Sequence, residues 1–306
     1  MEMSVLFDKL LIFLVLMVIG WGCIRSGFLD RSFARSASAL TMNVFMPATI
    51  INATLAVNTD LSMGELGRIM LILCLMQVLG YVIAFLVAKF LPLEKENSAE
   101  YELLMSMGNN LFIALPIVDA LLGPLAVFYV SLTCLPFNVL IYTYGVWRLK
   151  SSSSEHRLRL KDMLSTPLAA TVISLVLILL RPPVPSALRG LISSMAGATM
   201  PLSMVVIGAS MGTVSLLDAF RRKSLYLCSA VRLLLVPVLT WLLLRLLTDD
   251  PVLLMTAVIT SACPSAVLVS VLAIQYGHSG VYASEGILQS TLLSMATIPV
   301  LIMLLF

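Results

Sequence analysis

Long apolar stretches separated by short polar ones make up almost the whole chain. Each apolar stretch holds about 20 residues, enough for a helix to cross the roughly 30 Å hydrocarbon core of a bilayer. The pattern predicts ten transmembrane helices, numbered here as spans 1 to 10, at residues 5–24, 36–57, 66–90, 102–122, 125–148, 163–181, 188–212, 224–247, 252–275 and 281–305. Because little else remains, residues 1–306 are predicted to form one all-α integral membrane domain.

Composition supports this prediction. Of the 306 residues, 60% are hydrophobic and 11% are charged, whereas soluble domains carry about 25% charged residues. No basic segment precedes the first apolar stretch, so span 1 is expected to be retained rather than cleaved as a signal peptide. The five cysteines and two histidines lack the spacing typical of disulfide or metal sites, and we expect no metal, cofactor or nucleic-acid partner.

Lysine and arginine are distributed unevenly between the loops. Thirteen of them follow spans 1, 3, 5 or 7, and five lie on the opposite face. Because positively charged loops stay in the cytoplasm, both termini are predicted to lie outside, on the periplasmic side of a bacterial inner membrane. The loop at 150–162 is then a cytoplasmic linker between residues 1–149 and residues 163–306.

The two halves carry helix-breaking residues at a nearly constant offset. Pro47 in span 2 and Pro201 in span 7 are 154 residues apart, and Asn109 in span 4 lies 155 residues before Pro264 in span 9. The offset predicts two repeats of five spans each. Since five is odd, the second repeat enters the membrane from the opposite side, and the repeat is inverted.

Polar residues and helix breakers occupy the middles of spans 4 and 9: Gly108, Asn109 and Asn110 in the first, Pro264 and Ser265 in the second. Backbone groups freed at such breaks must face protein or a wet cavity, because each would cost several kcal/mol in lipid. Crossed breaks bring together two half-helix amino termini, whose partial positive charge suits an anion. We predict that these five residues bind the substrate; the alternative is that they only join helices through hydrogen bonds.

Further polar residues inside the spans are candidates for lining a cavity, namely Gln77, Asn138, Tyr142, Arg232, Gln289 and Ser290. Gln77 in span 3 and Arg232 in span 8 are 155 residues apart, which favours a buried position for both. The alternatives are an Arg232 side chain that extends to the cytoplasmic interface and interhelical hydrogen bonding for the amides and hydroxyls.

Five stretches resemble the auxin efflux carrier family, which includes the plant PIN-type auxin exporters and many bacterial permeases. They are "SALTMNVFMPATIINATLA" in span 2, "GNNLFIALPIVDALLG" in span 4, "AVRLLLVPVL" in span 8, "ACPSAVLVSVLAIQYG" in span 9 and "ILQSTLLSMATIPVLIMLL" in span 10. The similarity extends in order over essentially the whole chain.

The resemblance implies a fold of two inverted five-span repeats, similar to that of bile-acid symporters and sodium/proton antiporters, in which broken spans 4 and 9 cross. By position, Asn109 matches the crossover asparagine, Pro116 the proline after it, and Pro264 the second crossover proline, with Cys263 directly before it. Gly108 stands where the plant carriers have proline, so the first break is expected to rest on glycine flexibility.

The expected function is transport of an organic anion by an elevator-like movement of spans 3, 4, 5, 8, 9 and 10 against spans 1, 2, 6 and 7. Plant carriers move an aromatic carboxylate, and bacterial relatives are associated with small dicarboxylates such as malonate or malate. The alternative is an importer of the bile-acid symporter type coupled to Na⁺ or H⁺. A homodimer of this chain is a further expectation. We expect no enzyme, since the sequence lacks HExxH, paired aspartates or a Ser/His pair at membrane depth.

Overall fold

The computed structural model describes residues 3–30, 32–56, 62–90, 97–150, 166–180, 182–212, 214–278 and 280–306. The regular elements in these ranges are helices, numbered here in chain order: α1 (Met3–Arg25), α2 (Ser32–Ala56), α3 (Met63–Phe90), α4 (Ser98–Ser106), α5 (Asn110–Leu122), α6 (Pro124–Leu149), α7 (Thr166–Leu180), α8 (Ser186–Gly212), α9 (Leu216–Arg221), α10 (Lys223–Leu244), α11 (Pro251–Ala262), α12 (Leu268–Gln275) and α13 (Val281–Leu305).

Six helices in the described part of the chain are long and apolar enough to cross a membrane: α2, α3, α6, α8, α10 and α13. Shorter apolar helical stretches lie at Leu11–Arg25, Asn110–Leu122, Thr166–Leu180 and Pro251–Ala262. Many large apolar side chains on these helices are exposed, for example Leu11, Val18 and Leu71. Such side chains are well suited to contact with lipid.

Predicted spans 4 and 9 are each divided into two helices. Residues 107–109 separate α4 from α5, and residues 263–267 separate α11 from α12. Both interruptions fall on the glycine, asparagine, proline and serine residues that the sequence singles out.

Prolines also alter helix geometry elsewhere. Wider π-helical turns at residues 41–45, 110–114 and 231–235 each end two residues before a proline: Pro47, Pro116 and Pro237 respectively. Because proline lacks an N–H and its ring crowds the preceding turn, a local π turn lets the helix continue through membrane depth.

The helices pack into two compact units, the first of Met1–Met70, Leu111–Cys134 and Leu164–Thr213, the second of Leu71–Asn110, Leu135–Met163 and Val214–Phe306. This grouping differs from the expectation that spans 4 and 5 group with spans 3, 8, 9 and 10. Residues 111–134, which include parts of spans 4 and 5, belong to the first unit with spans 1, 2, 6 and 7. The reason is local packing: the first part of α6 lies against α5, α2 and α7.

In the first unit, α1 and α8 touch through their backbones. A Cβ atom added at Gly20 would lie 2.1 Å from the Val205 carbonyl oxygen, and one added at Gly208 would lie 1.9 Å from that of Met17. The Thr49 hydroxyl donates to the Thr199 hydroxyl over 2.7 Å between α2 and α8. Small residues and hydroxyl pairs of this kind are typical of helix packing in lipid.

The second unit has a densely packed core around α4. Tyr101, Leu103, Leu104 and Met105 are fully buried there. The end of α6, the first half of α10, α12 and the start of α13 pack against this helix. The core therefore holds the residues on both sides of the two interruptions.

Candidate functional site

The two interrupted helices meet in a short extended crossing. After α4 ends, Met107 is extended (φ −98°, ψ 112°), and after α11 ends, Cys263 is extended (φ −66°, ψ 147°). Gly108 then pairs with Ser265 in an isolated antiparallel bridge. The predicted break residues therefore lie side by side.

Backbone hydrogen bonds close this crossing. The Asn109 N–H donates to the Pro264 carbonyl over 2.8 Å, and the Ala266 N–H donates to the Met107 carbonyl over 2.9 Å. The Ser265 hydroxyl donates to the Leu104 carbonyl over 2.7 Å. The Asn109 and Ala266 N–H groups at the breaks, where an anion was expected, therefore donate to protein carbonyls. This agrees with the alternative that the break residues join helices through hydrogen bonds.

The guanidinium of Arg232 lies at the crossing. Its Nε donates to the Cys263 carbonyl over 2.8 Å, Nη1 to the Ser106 carbonyl over 3.1 Å, and Nη2 to the Thr260 carbonyl over 3.4 Å. The residue is 3% exposed, so the alternative that it extends to the interface is wrong. Because α4 and α11 end here, the positive charge complements the carbonyl ends of two half-helices.

Arg232 retains hydrogen-bonding capacity. A guanidinium has five N–H groups, and the described residues accept three of them, one from each nitrogen. One N–H therefore remains on each terminal nitrogen. Two N–H groups are what a single carboxylate accepts in a bidentate pair.

The absence of a side chain at Gly108 leaves room for this guanidinium. A Cβ atom at Gly108 would lie 1.8 Å from Arg232 Nη2 and 2.9 Å from the side-chain oxygen of Asn110. Gly108 does not adopt a left-handed φ. The missing side chain makes room for the charge, and the expectation that this break rests on glycine flexibility stays a prediction.

A small cleft adjoins the crossing in the second unit; its enclosed part has room for about one water molecule, and the empty space of about 220 Å³ includes open solvent. It is lined by Met76, Gln77, Gly80, Ser106, Asn110, Arg232, Val236, Thr260 and Ser261. Among these nine residues Arg232 is the one charged group, and the other polar groups are neutral amides and hydroxyls. Gln77, Asn110 and Arg232 were singled out from the sequence.

Ser106, Thr260 and Ser261 were not predicted. Each lies within four residues before an interruption, and Ser106 precedes Ser261 by the same offset of 155 residues as Gln77 precedes Arg232. Applying the offset to every polar residue next to a break would have found this pair.

Gln289 and Ser290 lie outside the lining of this cleft. The Gln289 side chain accepts from the Ser229 hydroxyl over 3.1 Å and donates to the Ala219 carbonyl over 3.2 Å. The Ser290 hydroxyl accepts from the Ser265 N–H over 3.2 Å. Both connect α13 to neighbouring segments, which matches the alternative of interhelical hydrogen bonding.

The remaining predicted residues are also outside this lining. Asn138 is buried on α6, and Tyr142 packs at the edge of the apolar core of the second unit. Pro116 is buried in α5, within the first compact unit.

Comparison with known proteins gives consistent results. The sequence profile of a family described as membrane transport protein, which corresponds to the auxin efflux carriers, matches residues 5–159 and 153–302. A protein of Methanothermobacter thermautotrophicus described as an uncharacterized transporter is 26% identical over 299 residues, with 95% of this chain and 96% of the relative covered.

Proposed function

The chain belongs to the auxin efflux carrier family of membrane transport proteins, and we propose that it is a secondary-type carrier of an organic anion, specifically a carboxylate. As a member of this family it is an integral membrane protein that moves a substrate across a lipid bilayer.

The observation that carries the proposal is the buried Arg232 guanidinium beside the cleft. Three of its five N–H groups donate to backbone carbonyls. The two others are matched by a carboxylate, a planar anion that accepts two parallel hydrogen bonds. Because Arg232 is buried, the attraction between opposite charges is stronger there than in water.

Release of the substrate is favoured by the rest of the lining. Gln77, Asn110, Thr260 and Ser261 offer hydrogen bonds without charge. A site with one cation and several neutral groups orients a carboxylate but does not enclose it in a network of ion pairs. This arrangement suits a carrier, which must bind and release at each cycle.

We further propose ten spans in two inverted repeats, with both termini outside the bacterial inner membrane and elevator-like alternating access. The corresponding breaks near residues 109 and 264 and the loop distribution of lysine and arginine support this arrangement. In the inferred movement, spans 3, 4, 5, 8, 9 and 10 with the crossing are the transporting part. A homodimer is also proposed.

The proposal is tested with purified protein. A thermal-shift screen against aromatic monocarboxylates, malonate, malate and bile acids identifies ligands, since a ligand at one hundred times its Kd stabilises the folded state by about 2.7 kcal/mol. Flux of the ligand is then measured in proteoliposomes for Asn109→Ala and Gln77→Ala. Asn43→Ala, an exposed amide on α2, is the matched control.

We expect both crossing variants to lose at least tenfold in flux, and the control to retain it. Unchanged flux and binding in both would exclude the crossing as the site. Replacement of Na⁺ by K⁺ separates this carrier from the importer alternative, because a sodium-coupled importer stops without Na⁺.

A further inference from the structure

Two carboxylates, Glu100 and Glu102, lie in α4 and are each 1% exposed. Glu102 is paired with Arg148, whose Nε lies 2.7 Å from Oε2, and the Tyr144 hydroxyl donates to Oε1. Glu102 is therefore neutralised by a permanent cation. Glu100 has a different kind of partner.

Glu100 binds the start of α13 and a histidine. Its Oε2 accepts from the Ala283 N–H over 2.9 Å, in the first turn of α13, where the helix dipole favours a negative charge. Its Oε1 lies 3.5 Å from Nδ1 of His278, in the turn between α12 and α13. The charge of Glu100 is thus met by a group whose own charge depends on pH.

The contact made by Nε2, the other ring nitrogen of His278, determines which ring nitrogen carries a hydrogen. Nε2 lies 3.0 Å from the Leu149 carbonyl, and because a carbonyl only accepts, Nε2 carries a hydrogen. In a neutral ring Nδ1 is then an acceptor, and it faces the carboxylate oxygen of Glu100. The contact is favourable only if one additional proton lies between Nδ1 and Oε1.

We propose that Glu100 and His278 form a proton-binding site through which carboxylate transport is coupled to a proton. The coupling part of this inference rests on the proposed function, whereas proton binding does not. The position of the site supports coupling: α4 leads from Glu100 to the crossing at Ser106, and α12 leads from the crossing to the turn that holds His278. Without the proton, two acceptors face each other and the contact between these segments weakens.

Other ionisable groups lie near α4. On the elements packed against this helix they are Tyr144 and Arg148 of α6, Lys223, Tyr226, Cys228 and Arg232 of α10, Tyr276 after α12, and Tyr282 and Glu285 of α13. Arg148 pairs with Glu102, Arg222 with Glu285, and Arg232 with the crossing carbonyls. Among the described residues, the ion-pair partner of Glu100 is His278, which is charged only when protonated.

Burial raises the pKa of Glu100, which precedes span 4, while the Ala283 N–H and His278 act in the opposite direction. A raised pKa means that the folded state binds the proton more tightly than the unfolded state. Its stabilisation is complete below the ordinary carboxyl pKa of about 4.3 and is lost as the pH rises through the raised value. We therefore expect the second unit to loosen as the pH increases.

Proton binding is tested by nitrogen NMR of the full chain in detergent. The sequence has two histidines, so a His156→Gln background with ¹⁵N-histidine reports on His278 alone. We expect Glu100→Gln to lower the proton affinity of His278 at least tenfold, a shift of about one pH unit or more in the titration midpoint. Glu102→Gln, whose partner is Arg148, is the control and should change it far less. An unchanged midpoint in Glu100→Gln would overturn the proposal.

If Glu100→Gln does not fold, His278→Gln provides an independent test. The pH dependence of thermal unfolding should be weaker in this variant than in the natural chain, and an identical dependence contradicts the site.

Coupling is tested by flux of radiolabelled indole-3-acetate and malonate into proteoliposomes under a pH gradient. We expect the gradient to change the flux of the natural chain at least threefold and that of His278→Gln not at all. Equal responses would overturn the coupling. If neither probe is transported by any variant, the proposed function fails for these classes, and the NMR titration still decides whether the proton site exists.

Discussion

Glycines permit close approach in both compact units, but to different kinds of atom. In the first unit, a Cβ atom at Gly208 would lie 1.9 Å from the backbone oxygen of Met17; in the second, one at Gly108 would lie 1.8 Å from a guanidinium nitrogen of Arg232. A backbone moves only if its helix moves, whereas a guanidinium can rotate away by giving up hydrogen bonds. The first contact therefore fixes helix packing, and the second fixes the position of a charge.

The largest effect is expected for Arg232→Met, which removes the charge and keeps most of the volume. The Ser106 and Cys263 carbonyls lose their donor, and each unsatisfied buried group costs about 1–3 kcal/mol, whereas the Thr260 carbonyl keeps the Cys263 N–H. We expect the free energy of unfolding in detergent to fall by about 4 kcal/mol and carboxylate binding to disappear. Arg232→Lys, which keeps the charge but not the planar fork, should recover stability more than binding. A fully stable Arg232→Met protein would contradict this account of the crossing.

A smaller effect on stability is expected for Gly208→Ala in the first unit. The added methyl group overlaps the Met17 backbone, so α1 and α8 must separate, at a cost of about 2 kcal/mol. Gly197→Ala on the same helix meets nothing within 4 Å and is the control. Thermal unfolding should separate the two variants, while binding per folded molecule stays unchanged in both. Equal melting temperatures would show that the close contact between α1 and α8 does not contribute to stability.

The smallest effect on stability, about 1 kcal/mol, is expected for Gly108→Ala, because a side chain and not a backbone must move. Binding of the carboxylate found by thermal shift should nevertheless weaken about tenfold, since Arg232 loses its position. A double-mutant cycle tests this cause: in an Arg232→Met background, Gly108→Ala should have little further effect on stability. If the losses of stability of Gly108→Ala and Arg232→Met add up in the double variant, the effect of Gly108 does not depend on Arg232.

Much of this organisation could be predicted along the chain. Gly108, Asn109, Asn110 and Pro264 stand out because an apolar span has no need for them, and the structure interrupts both helices there. The offset of 155 residues connected Gln77 with Arg232, and both line the cleft. The residue types within a short segment are enough to predict these breaks, because backbone groups freed at a break cannot face lipid and must be buried in protein.

Other features depend on residues distant in the sequence. Gln289 was as good a cavity candidate as Gln77, yet it joins Ser229 and Ala219 in hydrogen bonds. The assignment of residues 111–134 to the first unit depends on what α6 packs against. A polar residue in a membrane helix must find a partner, but the sequence does not say whether that partner is substrate or protein.

By itself, the sequence determined that this chain lies in a membrane, that two of its spans break, and where they break, because hydrophobicity and helix-breaking are properties of short segments. Only the tertiary structure decided that Arg232 serves the carbonyl ends of both broken helices and that Glu100 meets His278, 178 positions away. The physical reason is the length of these side chains. A long side chain can bond to any group within a few ångströms, and the fold selects which groups those are.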